Sequence, residues 1–249
     1  MILPSATVDE ASRVYAASFI SAIPCYAPGP DGACTCARAE CHSPGKHPSL
    51  GPWAAYQARL PEPSEIATWY GTEARNIAIV CGQVSGGLIV IDCDDPATYV
   101  ALRYLYPAIG ASLTARTGKG YHVYLRADQA VRTATFAANG RTHHVKAEGS
   151  YVIAPPSVHA SGNRYAYVDP DAPIVTADLD MLSASLRRLG QPARQPDRPT
   201  SVGWAADLIR EGARVGQRAE VVAGMGGGNH AVLAAPQQQR RCADPLEQR

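Results

Sequence analysis

The spacing of apolar residues changes several times along the chain, and each change marks an expected element. Residues 7–20 place apolar side chains at helical intervals. Residues 63–70 do so again behind Pro63, which suits a first turn because its missing N–H would have no helical partner there. A further helical pattern surrounds Trp53. Residues 76–81 and 88–94 are apolar runs joined by a turn containing Ser85-Gly86-Gly87, and this spacing predicts a strand pair. Asp95-Pro96 has the form of an N-cap followed by a first-turn proline, opening a helix to about residue 106. Strands are expected at 112–116, 121–126, 143–147, 151–154 and 165–168, with Gly118-Lys119-Gly120, Glu148-Gly149 and Ser161-Gly162 as turns. A last helix is expected over 178–189. Many strands and few helices predict an α+β fold, in which helices flank a mainly antiparallel sheet.

Three stretches fall outside this pattern. Residues 28–48 are loop-like and dense in Gly, Pro and Cys, whereas 190–201 are rich in Pro, Arg and Gln and read as a linker. Beyond it lie a short helical candidate at 204–213, a glycine breaker at 224–228 and a polar end. The expected organisation is one domain over 1–189 with a metal-binding loop at 25–48, a linker at 190–202, and a short, truncated-looking helical tail at 203–249.

Composition narrows the class. Of 249 residues, 46% are hydrophobic and 18% charged, which fits a globular protein and neither a disordered nor a membrane-embedded one. No apolar run reaches the ~18 residues of a spanning helix. The stretch 14–27 is broken by Ser18, Ser21 and Pro24 and follows Asp9 and Glu10, so it lacks a basic leader, and a cytoplasmic protein is expected. A net charge of +1 offers no general electrostatic case for nucleic acid. Lysine occurs only at 46, 119 and 146, each inside a segment of independent interest. Seven cysteines are too few for a disulfide scaffold, and three crowd into positions 34–41, which points to metal. Cys81 and Cys93 lie in apolar runs as inert thiols, and Cys242 receives no role.

Three groups carry candidate chemistry. In Leu88-Ile89-Val90-Ile91-Asp92-Cys93-Asp94-Asp95 an apolar strand ends in acid, and its period of two puts Asp92 and Asp94 on one face. Paired carboxylates repel unless a cation relieves them, and hard oxygen donors suit Mg²⁺ or Mn²⁺, the ions of phosphoryl transfer. Asp95 needs only its capping role. The Gly118-Lys119-Gly120 turn can bring N–H groups and the Lys119 ammonium to phosphate oxygens, although it is not a Walker A loop. Finally, Cys34, Cys36, Cys41 and His47 supply three thiolates and an imidazole, a full tetrahedral set for structural Zn²⁺, with Cys25 and His42 as spare donors.

Taken together these segments resemble the bifunctional primase/polymerase (prim-pol) domain of plasmids, phages and integrated elements, within the archaeo-eukaryotic primase superfamily. The resemblance runs from about residue 14 to 167. It includes Ser43-Pro44-Gly45-Lys46-His47-Pro48, Trp53 and Trp69, Asn76-Ile77-Ala78-Ile79, Gly82, Ser85-Gly86, the Asp92/Asp94 strand and His122. It ends in Gly149-Ser150-Tyr151-Val152-Ile153-Ala154-Pro155-Pro156-Ser157-Val158-His159 and Tyr165. It implies an RRM-like sheet that extends a primer on a single-stranded DNA template from NTP or dNTP, with a separately encoded replicative helicase as partner and no membrane. By position, Asp92 and Asp94 would hold the catalytic ions, His122 would contact the incoming phosphates, and Lys146, Ser157 and His159 would line the nucleotide pocket. One position departs from the family. Its third acid falls here on His144, a poor Mg²⁺ ligand that Mn²⁺ accepts more readily, while Glu148 shares the same strand face. This predicts weakened or Mn²⁺-preferring catalysis, with an inactive DNA-binding relative as the alternative. A metal-dependent phosphodiesterase would use the same carboxylates but leaves the Ala-Pro-Pro-Ser segment without a role.

Overall fold

The computed structural model describes residues 6–191 except 37, 39 and 71–73, so the expected tail and most of the linker lie outside the described residues. Helix α1 (Val8–Ala17) opens with a reciprocal capping box: the Glu10 amide donates to Thr7 Oγ1 at 3.2 Å, and the Thr7 amide to Glu10 Oε2 at 2.7 Å. Strand β1 (Ala22–Tyr26), a 3₁₀ turn at Trp53–Gln57, α2 (Pro63–Tyr70) and β2 (Arg75–Val80) follow. Next come β3 (Leu88–Cys93), α3 (Pro96–Leu105), β4 (Thr114–Arg116) and β5 (Tyr121–Arg126). The remainder is β6 (Ala134–Ala138), β7 (Arg141–Lys146), β8 (Tyr151–Ile153), β9 (Ala166–Tyr167), β10 (Val175–Thr176) and α4 (Leu179–Leu189).

The fold is α+β with antiparallel sheets, as expected, but the strands divide between two sheets. A small one has the order β1-β2-β8, and a larger one has the order β6-β7-β3-β5-β4-β9 with β10 added parallel to β5. The strand pair expected from residues 76–81 and 88–94 is not formed. β2 and β3 belong to different sheets, and no ladder joins them; the backbone pairing nearest to them is a single bridge between Gly82, in the turn, and Leu88. The turn between them carries the chain from one layer to the other. Gly87 has φ +73° and lies so close to the Ala127 carbonyl that a side chain there would collide with it. Both strands are apolar on both faces, which a hairpin with one solvated face would not need.

Alternation explains the layers. In β3, Ile89, Ile91 and Cys93 pack with Val123 and Leu125 against Leu102 of α3 and Leu182 of α4. Leu88 and Val90 point the other way, where they meet Ile77, Ile79 and Val152 of the small sheet under Ala11 and Tyr15 of α1. The outer face of the small sheet is covered by Tyr56, Trp53 and Trp69. Asp92 continues the row of Leu88 and Val90, so it belongs to the face that looks toward the small sheet. Among the described residues no helix is long and apolar enough to cross a membrane.

Candidate active site and metal centre

Strand β3 lies between β5 and β7, and the register sets Asp92 opposite His122 on one side and His144 on the other. His122 Nε2 lies 3.3 Å from Asp92 Oδ1. Burial pushes the Asp92 carboxyl up, but the hydrogen bond and charge of His122, with Lys146 and His144 adding to them, hold it below its ordinary range. Asp94 follows at the strand end. Its backbone N–H donates to Nδ1 of the fully buried His143 at 3.0 Å. That nitrogen is therefore the acceptor, and Nε2 carries the proton toward Ala138 O at 3.2 Å and Asp95 Oδ2 at 3.4 Å. Asp95 caps α3 as expected, accepting from Thr98 N at 2.7 Å.

The Gly118-Lys119-Gly120 turn is organised by Thr117, whose Oγ1 accepts from Gly120 N at 3.0 Å and Lys119 N at 3.3 Å. A side chain at Gly120 would run into the Cys93 carbonyl oxygen, and one at Gly118 would strike the His159 ring. Glycine at both places lets the turn close against the end of β3. The result is a cleft of about 390 Å³ between the sheets, lined by Asp92, Asp94 and His122, by β8, and by Lys46, Lys119 and Lys146. His159 and Tyr165 complete it. All the lysines of the sequence thus face one cavity. Burial pushes His159 down, with Lys46 and Lys119 acting in the same direction. Burial pushes the Tyr165 hydroxyl up, and the charges of Asp92 and Asp94 push it further.

Of the residues named from sequence, Asp92, Asp94, His122, Lys119, Lys146 and His159 meet in this cleft. Ser157 does not. It is fully buried, and its hydroxyl accepts from Ile77 N at 2.9 Å and donates to Ile77 O at 3.1 Å, clipping its segment to β2. His144 is half-buried beside Asp92 and is not among the cleft-lining residues. Glu148 turns away, accepting from Gln83 N at 2.7 Å. Lys46, Thr117 and Tyr151 enter the cleft without having been assigned to it from sequence. For Lys46 the available signal was its place directly before His47 in a chain with only three lysines.

The cysteine loop forms a second centre. Donor atoms of Cys34, Cys36, Cys41 and His47 all lie within 4.8 Å of one another, with His47 Nε2 at 3.3 Å from Cys34 Sγ and 3.5 Å from Cys41 Sγ. Bonds of ~2.3 Å to sulfur and ~2.0 Å to nitrogen in a tetrahedron leave ligand separations of this size, so the set fits Zn²⁺. Burial pushes the Cys34 thiol up, but hydrogen bonds from the backbone at Gly45 and Cys36 and from the Cys36 and His47 side chains outweigh it and bring the thiol to about 6. Cys25, a spare donor by sequence, is buried in β1 with its thiol raised to about 12, and the structure leaves it out of the set.

A family model described as bifunctional DNA primase/polymerase, N-terminal, matches residues 13–181. The chain belongs to this prim-pol family. No curated protein matches the chain. The prim-pol match takes in the zinc-type loop and every cleft residue named above, and it brings with it nucleotidyl transfer of the DNA primase/polymerase type on DNA and nucleotides. Within this prim-pol domain the Cys₃His group is the only set of three or more His, Cys, Asp or Glu donors drawn within 4.8 Å among the described residues. Asp92 and Asp94 belong to no such set.

Proposed function

We propose that this prim-pol protein is a template-dependent DNA primase/DNA polymerase, joining NTP or dNTP to a primer terminus or initiating nucleotide on single-stranded DNA. The observation that supports it best is the Asp92–His122 pair, 3.3 Å apart, in a cleft that also holds Asp94 and three lysines. Asp92 and Asp94 would hold the divalent ions, Mg²⁺ or Mn²⁺. When bound, the ions neutralise the triphosphate and activate the attacking hydroxyl. His122 gives Nε2–H to Asp92, while its Nδ1 is buried without a hydrogen-bond partner. The His122 ring lines the cleft beside Asp92, which is where the phosphate contact that the family resemblance assigns to it would fall. Lys119, Lys146 and His159 surround the same phosphates, and Zn²⁺ in the cysteine loop has a structural role.

Replication of a mobile or integrated element, with a separate helicase and a cytoplasmic site of action, goes with this reading by family resemblance. A non-catalytic DNA-binding relative is the second reading, favoured by His144 opposite Asp92 where an acid is expected. Paired Asp92→Ala and Asp94→Ala substitutions separate the two. Synthesis on single-stranded DNA with labelled nucleotides should fall at least ~100-fold, the scale of removing a preorganised electrostatic group, while DNA affinity holds. Wild-type protein that binds DNA and synthesises nothing in Mg²⁺ or Mn²⁺ would leave only the second reading.

A further inference from the structure

Lys46 reaches the cleft from a part of the chain that has little apolar support of its own. Among the described residues of 29–46 nearly all are exposed or half-buried. Several hydrogen bonds gather around Lys46. Its amide donates to Ser43 O at 3.1 Å, and its carbonyl accepts from the Tyr151 hydroxyl of β8 at 3.1 Å. The preceding carbonyl, Gly45 O, accepts from the buried Asn76 side chain at 2.9 Å. The following residue is the zinc-type ligand His47, whose carbonyl accepts from Tyr26 N at 3.1 Å. The backbone that aims this ammonium is thus anchored through the metal set on one side and through β2 and β8 on the other.

The chain uses lysine at only three positions, and each comes to the cleft on a different element: the cysteine loop, the glycine turn and β7. Lysine serves phosphate as a compact point charge, and three of them outnumber the two carboxylates in the cleft. Lys46 and Lys119 line the same cleft as His159.

We propose that Lys46 binds the triphosphate and that the zinc-type loop presents it, so that metal occupancy of the loop sets nucleotide affinity. This rests on the nucleotide-transfer reading of the cleft. The test titrates the full-length protein with Mg²⁺–dATP by calorimetry and measures zinc content and circular dichroism on the same samples. Lys46→Ala should weaken binding ~10-fold, as loss of a charge-assisted contact does, at unchanged zinc content. Removing zinc with a selective chelator should weaken binding to a similar degree with the core spectrum intact, and added zinc should restore it. In the Lys46→Ala protein the same removal should add little, because both changes act through one side chain. If Lys46→Ala binds like wild type while Asp92→Ala with Asp94→Ala binds worse, the inference fails and the cleft reading stands. If wild type binds no nucleotide, both fail. Loss of the whole core on zinc removal would overturn the loop-specific coupling.

Discussion

Asp92 has an imidazole on each side, and the two are not equivalent. His122 is bonded to it and shares its cleft, whereas His144 stands opposite on β7 outside the lining residues. Residues directly opposite in an antiparallel pair have Cβ atoms ~5 Å apart, so a short acid at 144 would bring a third carboxylate beside Asp92. His144→Asp should therefore raise Mg²⁺-supported primer extension several-fold relative to Mn²⁺-supported extension, since Mg²⁺ prefers oxygen and tolerates imidazole poorly. Extension assays in each ion, on wild type and variant, give the ratio directly. An unchanged ratio would mean that residue 144 does not reach the metal. A divalent ion should also restore thermal stability to the variant, because three neighbouring carboxylates repel in its absence.

Elements defined by local chemistry were legible in the chain: Pro63 at a first turn, Asp95 as a cap, and the alternation of β3 into acid. Membership of a sheet was not, because it depends on partners far away in sequence. Pro24 concealed β1, although an edge strand can carry a proline since one row of its backbone groups faces away from the ladder. The small residues of β6 gave too little apolar signal, and the two residues of β10 gave none. The site shows the same division. Asp92, Asp94 and the Cys₃His loop follow from residue type and spacing, whereas Lys46 is brought in by tertiary contacts at Tyr151 and Asn76. Ser157 is the converse case, since a motif read as continuous pocket lining sends this hydroxyl into β2. Ser157→Ala removes two buried hydrogen bonds to Ile77 and should cost about 1–3 kcal/mol in urea unfolding. Triphosphate affinity should stay within twofold of wild type, and a large loss of affinity at full stability would return Ser157 to the nucleotide pocket.

Because the cleft lies between two sheets, a ligand in it touches both layers. Asp92, His122 and Lys146 belong to the larger sheet, while Tyr151, Val152 and Ile153 belong to the smaller. The layers are also joined by the core around Val90 and Ile79 and by Tyr15, whose hydroxyl donates to Pro155 O at 2.7 Å and lies 2.9 Å from the Tyr167 hydroxyl. Unfolding either layer destroys the cleft, so a bound triphosphate should stabilise the domain as a unit. At a hundred times its dissociation constant the gain is about 2.7 kcal/mol. For a chain of this size that corresponds to a rise of about 5–10 °C in melting temperature. Most of the rise should depend on Mg²⁺ or Mn²⁺ and all of it on the phosphates, so a nucleoside should give almost none. Asp92→Ala with Asp94→Ala should remove the metal-dependent part while the lysines retain a smaller, salt-sensitive one. An equal rise without divalent ion would place the triphosphate on the lysines alone, and the carboxylates would then have no part in holding it.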